Sequence, residues 1–297
     1  MLRTNRDRLP VISLIAEVAP PTLDRNVYVP DREGRAFLGV GMGGIVYNVR
    51  VGDPACGWAA ADHIEPAVSV SITGDDPRRA LDFLACVGDE AVVVAGMAKG
   101  GRGVVTGKHA RVIIDFPDAV LEQLAVGDRI LIKTWGTGLA LLDHPDVRLK
   151  CCSPRFLDAM GITEGPDGRL RVPVAATIPA EMMGSGMELP ADYVDCDLMS
   201  GDWATYAAHG LDRLRLGDLV AIQDQDHSGW RGYRKGAVTI GIVIHGDSPR
   251  PGHGPGIGTV MTSPSGRIEP VMDDRANLAT MLGLREWRTT AGREVRR

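Results

Sequence analysis

The sequence predicts a β-rich α+β fold, barrel- or sandwich-like, with short peripheral helices. Two observations carry this. Short β-branched runs bounded by Gly, Asp and Pro recur along the whole chain, whereas helical signals are confined to stretches of two or three turns. With 37 glycines and an aromatic content of only 5%, tight turns rather than large ring clusters must carry much of the architecture. A length of 297 residues is enough for one large or two ordinary domains. We divide the chain into an N-terminal β-rich region, 1–145, and a C-terminal β-rich region, 146–284, packed as one unit, followed by a flexible tail, 285–297.

Taken in order, Val11-Ile12-Ser13-Leu14-Ile15 reads as a buried first strand. Arg3, Arg6 and Arg8 precede it as in a signal peptide, but the apolar run is short, Glu17 interrupts it, and Pro20-Pro21 stands where small residues would be cleaved. Further strands are expected at 45–51, 68–72, 91–95, 111–115, 129–133, 219–222, 237–244 and 259–262. Helices are expected at 76–84, 117–124, 153–160, 203–211 and 277–282, where Pro at a first turn or a polar cap precedes the apolar positions. Arg171-Val172-Pro173-Val174 looks like an edge strand, because Pro cannot donate to a ladder. Met182-Met183-Gly184-Ser185-Gly186-Met187 reads as core filling in preference to a lid.

A Gly-Asp pair precedes three of the strands, at Gly88-Asp89, Gly127-Asp128 and Gly217-Asp218. Gly supplies positive φ and Asp bonds local backbone, so each is expected to be a strand-entry turn rather than a metal site. Unequal spacing between the copies argues against a solenoid or propeller.

Composition excludes several classes. A formal net charge of -5 gives no electrostatic footprint for nucleic acid or an anionic membrane. No stretch approaches the roughly 20 apolar residues of a membrane span. The five cysteines are odd in number and lack a repeated C-x-x-C spacing, which argues against a disulfide framework or zinc ribbon. Cys56 has no recognisable catalytic context, so a buried thiol is expected there. These features together predict a cytoplasmic protein with no nucleic-acid or membrane partner; a homo-oligomeric state is left open.

Chemistry concentrates between Gly217 and Gly258. One apolar run delivers Asp224, Asp226 and His227; a second delivers His245, Asp247 and His253. Two adjacent strands ending on the same side would gather these groups into a metal or acid/base site. Near the other end, Asp62-His63-Ile64-Glu65-Pro66 would, if extended, place His63 and Glu65 on one face. The expected metal ligands are therefore His63, Glu65, His245 and His253, with Asp224, Asp226 and His227 as catalytic groups. Gly39-Val40-Gly41-Met42-Gly43-Gly44 matches the dinucleotide fingerprint formally, but a strand follows where a helix is required, so no nucleotide cofactor is expected. Its amides at Gly41, Gly43 and Gly44 could instead receive an anionic oxygen, with Trp58, Trp230 and Gly254 contributing to the pocket.

The segments Gly39 to Ile45, Asp62 to Pro66 and Gly252-His253-Gly254-Pro255-Gly256 resemble those of an uncharacterised bacterial and archaeal family catalogued as a domain of unknown function. That resemblance implies shared architecture and brings no activity. A weaker similarity links His245-Gly246-Asp247 through Gly254 to acetamidase/formamidase proteins, with Pro255 standing where those proteins carry an acidic residue. The expectation is a metal-assisted hydrolase or lyase acting on a small polar metabolite, an amide or cyclic amide, with zinc, manganese or calcium as cofactor. The alternatives are a metal-independent isomerase or racemase using a histidine base, and a non-catalytic small-molecule-binding or scaffold protein.

Overall fold

The computed structural model describes residues 2–285. Six antiparallel strands close a barrel. Ile12–Val18 pairs with Arg129–Thr134, followed in turn by Glu90–Val93, Arg102–Lys108, Val112–Asp115 and Ala67–Ser71, which returns to Ile12–Val18 through Glu17 opposite Ser71 and Val18 opposite Val70. Closure removes the sheet edge that a β-rich chain would otherwise expose. Alternate side chains point inward: Leu14, Ala16 and Val18 on the first strand, Ile130 and Ile132 on the second, Val112 and Ile114 on the fifth. Each such Leu or Ile stabilises the fold by about 1.5–3 kcal/mol relative to exposure. The helix Asp75–Leu84 covers the barrel with Leu81, and Asp118–Leu121 covers it with Leu121.

A second sheet runs Arg148–Leu149, Gly256–Ser263, Gly232–His245, Leu219–Asp226, Ala176–Ile178, with Cys196–Asp197 also pairing with Gly256–Ser263. Both of its faces are covered, so its strands read as continuous apolar runs rather than clean alternation. Leu219, Ala221, Ile240, Ile242 and Ile244 face one core, shared with Phe156, Leu170, Val172 and Ile268. Val220, Ile222, Val243 and Ile257 face another, shared with Tyr206, Leu211, Leu214 and Leu216. Leu170–Val174 is the middle of a three-stranded sheet, but its neighbour Thr163–Glu164 reaches only Leu170 and Arg171. Pro173 therefore does occupy a local edge.

The expected helices all form, the first one residue longer than expected and the other four shorter: Pro154–Ala159 is capped by the Ser153 hydroxyl, Trp203–Ala208 by Asp202, and Leu278–Met281 by Asn277. No helix among the described residues is long and apolar enough to cross a membrane. The Gly-Asp turns behave alike. In each, Gly has φ near +90° and the Asp carboxylate accepts the amide three residues back: Asp89 from Cys86, Asp128 from Ala125 and Asp218 from Arg215. Gly52-Asp53 is a fourth copy, with Asp53 accepting from Arg50. Met182 and Met183 are core residues, as expected, and Cys56 is buried.

Three expectations need correction. The strand expected at 45–51 forms only at Ile45–Val46. Arg102–Lys108 was not among the expected strands. The tail expected to be flexible from residue 285 onward is anchored at its first residue, where the Arg285 guanidinium donates to Asp115 at 2.7 Å; the rest of that tail, 286–297, lies outside the described residues.

Candidate metal centre

The site lies where the barrel meets the second sheet. Gly107, on a barrel strand, packs directly on Ile244: a Cβ there would fall 2.6 Å from Ile244 Cβ. This close approach carries the next turn, with His109, against the end of the strand that finishes at His245. Strand Gly256–Ser263 runs between the other two contributors, with His245 opposite Gly256 on one side and Asp197 opposite Gly256 on the other. Side chains from both flanking strands lean over the bare Cα of Gly256. Asp195 and Asp197 share a face because they are two residues apart on extended chain.

His63 arrives from a loop laced onto the same region: its amide donates to Asp247 O at 3.2 Å, and Gly246 donates to Ile64 O at 2.9 Å. Its φ is +53°. His253 arrives from the turn before Gly254, where Gly is required because a Cβ would lie 1.9 Å from Leu198 O. The four rings form one cluster, with centroids 4.3 Å apart for His109 and His245, 4.9 Å for His63 and His253, and 5.0 Å for His63 and His245.

Three of these imidazoles are oriented from behind. His63 Nδ1 bonds Asp62 Oδ1 at 2.6 Å, His109 Nδ1 bonds Glu65 Oε1 at 2.7 Å, and His245 Nδ1 bonds Gly246 O at 2.9 Å. An ionised carboxylate or a carbonyl can only accept, so each Nδ1 carries the proton and each Nε2 is left free to act as a ligand. The supports are themselves held. Asp62 accepts from Ser248 at 2.8 Å and from Arg250 at 2.9 Å; Glu65 accepts from Gly43 N at 2.8 Å and from the Ser69 hydroxyl. Burial alone would raise the pKa of Asp62, but His63, Ser248 and Arg250 bring it down to about 2. Glu65 is likewise lowered against its burial, by His109, Ser69 and Arg111.

Two carboxylates complete the interior. Asp197 Oδ2 lies 2.6 Å from His253 Nδ1 and 3.4 Å from His63 Nε2, while its Oδ1 lies 3.3 Å from His245 Nε2. Asp195 Oδ2 lies 2.8 Å from His245 Nε2, yet the pair is misaligned for a hydrogen bond, leaving this buried nitrogen without a partner. Two ring nitrogens, His63 Nε2 and His253 Nδ1, stand 3.0 Å apart. Burial pushes the pKa of His245 down, but the Asp195 and Asp197 charges hold it well above the usual imidazole value; His63 is raised by Asp197 and Asp62 in the same way. Asp197 sits well below the carboxylate range despite its burial, because His245, His253 and His63 all stand against it. The cluster thus demands positive charge, and in the absence of a cation protons must meet that demand.

The structure brings together three of the four expected ligands, His63, His245 and His253. Glu65 is not among them: its φ-positive neighbour His63 breaks the extended alternation that would have put both on one face, and Glu65 orients His109 instead. Asp224, Asp226 and His227 are not brought to the cluster. Leu219–Asp226 and Gly232–His245 are antiparallel, so their C-terminal ends lie at opposite ends of the ladder, with Asp226 opposite Gly232 and His245 opposite Gly256. Asp224 caps Gly236 N, Asp226 pairs with Ser228 and Arg234, and His227 is buried against Thr259 and Thr262. Gly43 does present its amide to an anionic oxygen, but that oxygen belongs to Glu65; Gly41 lies against Ile64, and Gly44 O accepts from Ser69 N. Trp58 bonds Pro54 O and lines a separate cavity of about 590 Å³ with Arg32 and Asp247, whereas Trp230 is exposed. His109, Asp195 and Asp197 were not among the ligands or catalytic groups expected from the sequence.

Models described as the N-terminal and C-terminal parts of a domain of unknown function, DUF4438, match residues 28–158 and 159–282. The chain belongs to the DUF4438 family. Among solved structures it is similar to one described as the crystal structure of TM1086, with 46% identity and a TM-score of 0.89 over 94% of this chain and 98% of that one. No curated protein matches. Neither family model is that of the acetamidase/formamidase proteins, so that likeness lends this DUF4438 member no residue roles.

Proposed function

We propose that this DUF4438 protein is a metal-dependent hydrolase or lyase acting on a small polar metabolite. One observation carries the reading: four imidazoles and two carboxylates point their donor atoms at a common interior while three of the rings are fixed from behind by Asp62, Glu65 and Gly246. Structural histidines do not need that arrangement, and the buried His245 Nε2 stands beside two carboxylates without a well-aligned hydrogen bond to either. Four imidazoles argue against calcium, which prefers oxygen ligands, and favour zinc, while the two carboxylates also suit manganese.

A bound divalent cation would polarise a substrate carbonyl and bring the pKa of a water down to about 7. The chain's own part is to hold the donors at fixed angles and to leave one face accessible. The accessible side is that of His253, 28% exposed, and His109, 18%, whereas His245 is fully enclosed. Arg250 and Arg111 stand at the rim, already engaged to Asp62 and Glu65, where they keep both carboxylates ionised. An amide or cyclic amide remains the substrate class to screen first.

The test is to purify the protein, measure bound metals, strip them with a chelator and restore zinc or manganese. The expected result is bound metal, a higher Tm on restoration and turnover of a small amide or lactam that chelator abolishes. Metal-free protein whose Tm ignores both ions would remove the proposal, and chelator-resistant turnover would favour a histidine-base isomerase.

A further inference from the structure

Resting on the metal-centre reading, we infer that the site takes two divalent cations, with Asp197 spanning them. The donors divide into two sets, His63, Asp197 and His253 in one and His109, Asp195 and His245 in the other, each with its donor atoms within 4.8 Å of one another. The two oxygens of Asp197 face different sets. Oδ2 addresses His253 and His63, and Oδ1 addresses His245. A carboxylate whose oxygens diverge in this way is placed to bridge two ions, which in such centres stand about 3.5–4 Å apart.

The outer supports are divided too: Asp62 holds His63 in the first set, and Glu65 and Gly246 O hold His109 and His245 in the second. A single octahedral ion would instead need all six donors at about 2.0–2.2 Å from one point. Charge adds a consequence. Arg250 and Arg111 already balance Asp62 and Glu65, so Asp195 and Asp197 alone offset the cations. One dication would neutralise them. Two leave a surplus of positive charge, which favours a substrate presenting an anionic or strongly polarised oxygen.

Each position has two almost fully buried ligands and one that reaches the surface, His253 at 28% exposure in one set and His109 at 18% in the other. Substrate therefore reaches the pair from the side of these two rings, His253 foremost.

The experiment uses the full-length protein stripped with chelator and reloaded with Mn²⁺, with metal per chain measured after desalting and electron paramagnetic resonance recorded on the same sample. Two Mn²⁺ per chain with an exchange-coupled spectrum are expected, falling to one uncoupled Mn²⁺ in His253→Ala. One Mn²⁺ per wild-type chain with an uncoupled spectrum would overturn the two-ion inference and leave the metal centre standing. No bound Mn²⁺ or Zn²⁺ would overturn both. Should His253→Ala fail to fold, anomalous diffraction from wild-type crystals decides the matter: two peaks about 3.5–4 Å apart support it, and one peak equidistant from all six ligands refutes it.

Discussion

Gly256→Ala is the smallest change that should close the centre. A Cβ on Gly256 would lie 2.1 Å from His245 Nε2, 2.2 Å from Asp195 Oδ2 and 2.4 Å from His245 Cδ2, whereas ordinary contact begins at 3.4 Å. The His245 ring must retreat by about 1.3 Å. Metal–ligand distances tolerate only about 0.2 Å, so such a displacement takes at least one ligand out of range. Backbone strain does not confuse the experiment, because φ at Gly256 lies outside the left-handed region. The cost to the metal-free fold should be the about 1–3 kcal/mol typical of overpacking. Affinity for zinc or manganese should fall by at least about 100-fold, since loss of a mere outer partner already costs about 10–100-fold. Metal analysis after desalting, with Tm measured with and without added metal, reads both effects. Gly229→Ala, where an added methyl meets nothing within 4 Å, is the control. A folded Gly256→Ala protein with wild-type metal content and the wild-type metal-induced Tm rise would refute the placement of ligands around Gly256.

Other perturbations separate the centre from the scaffold. Glu65→Gln should weaken metal binding about 10–100-fold, because the neutral amide removes the charge that makes His109 a strong ligand, and should also lower the metal-free Tm, because Arg111 loses its anionic partner; competition against a metal indicator would show the first effect, and unchanged affinity would place Glu65 outside the site's support. His227 should make the protein acid-sensitive: burial lowers its pKa from 6.5 to about 3, so the unfolded chain takes up a proton that the folded one refuses. Stability should fall as pH drops from 6.5 toward 3, by up to about 5 kcal/mol from this group, and denaturant titrations of His227→Gln should show a shallower slope over that window. Asp218 has the opposite sign. Burial raises it from 3.8 to about 7, so the folded state holds the extra proton and stability should fall as pH rises between those values. Asp218→Asn should flatten that slope while costing about 1–3 kcal/mol, since one of the two oxygens that accept from Asn277 Nδ2 and Arg215 N becomes an NH2 group facing a donor.

The fold was legible because its strands are β-branched and its turns chemically explicit. The missed strand, Arg102–Lys108, shows the limit: Gly103 and Gly107 weaken its pattern, yet both are there for close approach, Gly103 to Asp115 O and Gly107 to Ile244. Information about contact partners is not local. His109 was hidden for the same reason, two residues past Gly107 in a basic turn with nothing to mark it. Asp195 and Asp197 sit around a strand of only Cys196 and Asp197, too short for any periodic signal. The D-x-D spacing was the available clue. His245 and His253 stood out because a strong strand and glycines flank them, and His63 because carboxylates stand on both sides of it. The failure at Glu65, Asp224, Asp226 and His227 was geometric: the first needed an extended His63, and the others needed neighbouring strands to run in the same direction.

The dispersal of the ligands has an energetic consequence for the whole molecule. His63, His109, the Asp195–Asp197 pair and the His245–His253 segment come from the long loop, the barrel, the short strand and the sheet end respectively, separated by dozens of residues. Bringing such segments together costs loop-closure entropy that rises slowly with length, and the unfolded chain offers no preformed set of donors. A cation that binds the folded state alone therefore adds stability as RT ln(1 + [L]/Kd), about 4 kcal/mol at a thousandfold excess over Kd. Because the donors lie on both the barrel side and the sheet side of the Gly107–Ile244 contact, that stabilisation resists separation of the two halves rather than stiffening either one. Hydrogen exchange should then show metal protecting the barrel strand before His109 and the sheet strand ending at His245 together. Protection confined to the sheet strand would mean that His109, the ligand on the barrel side, holds no cation.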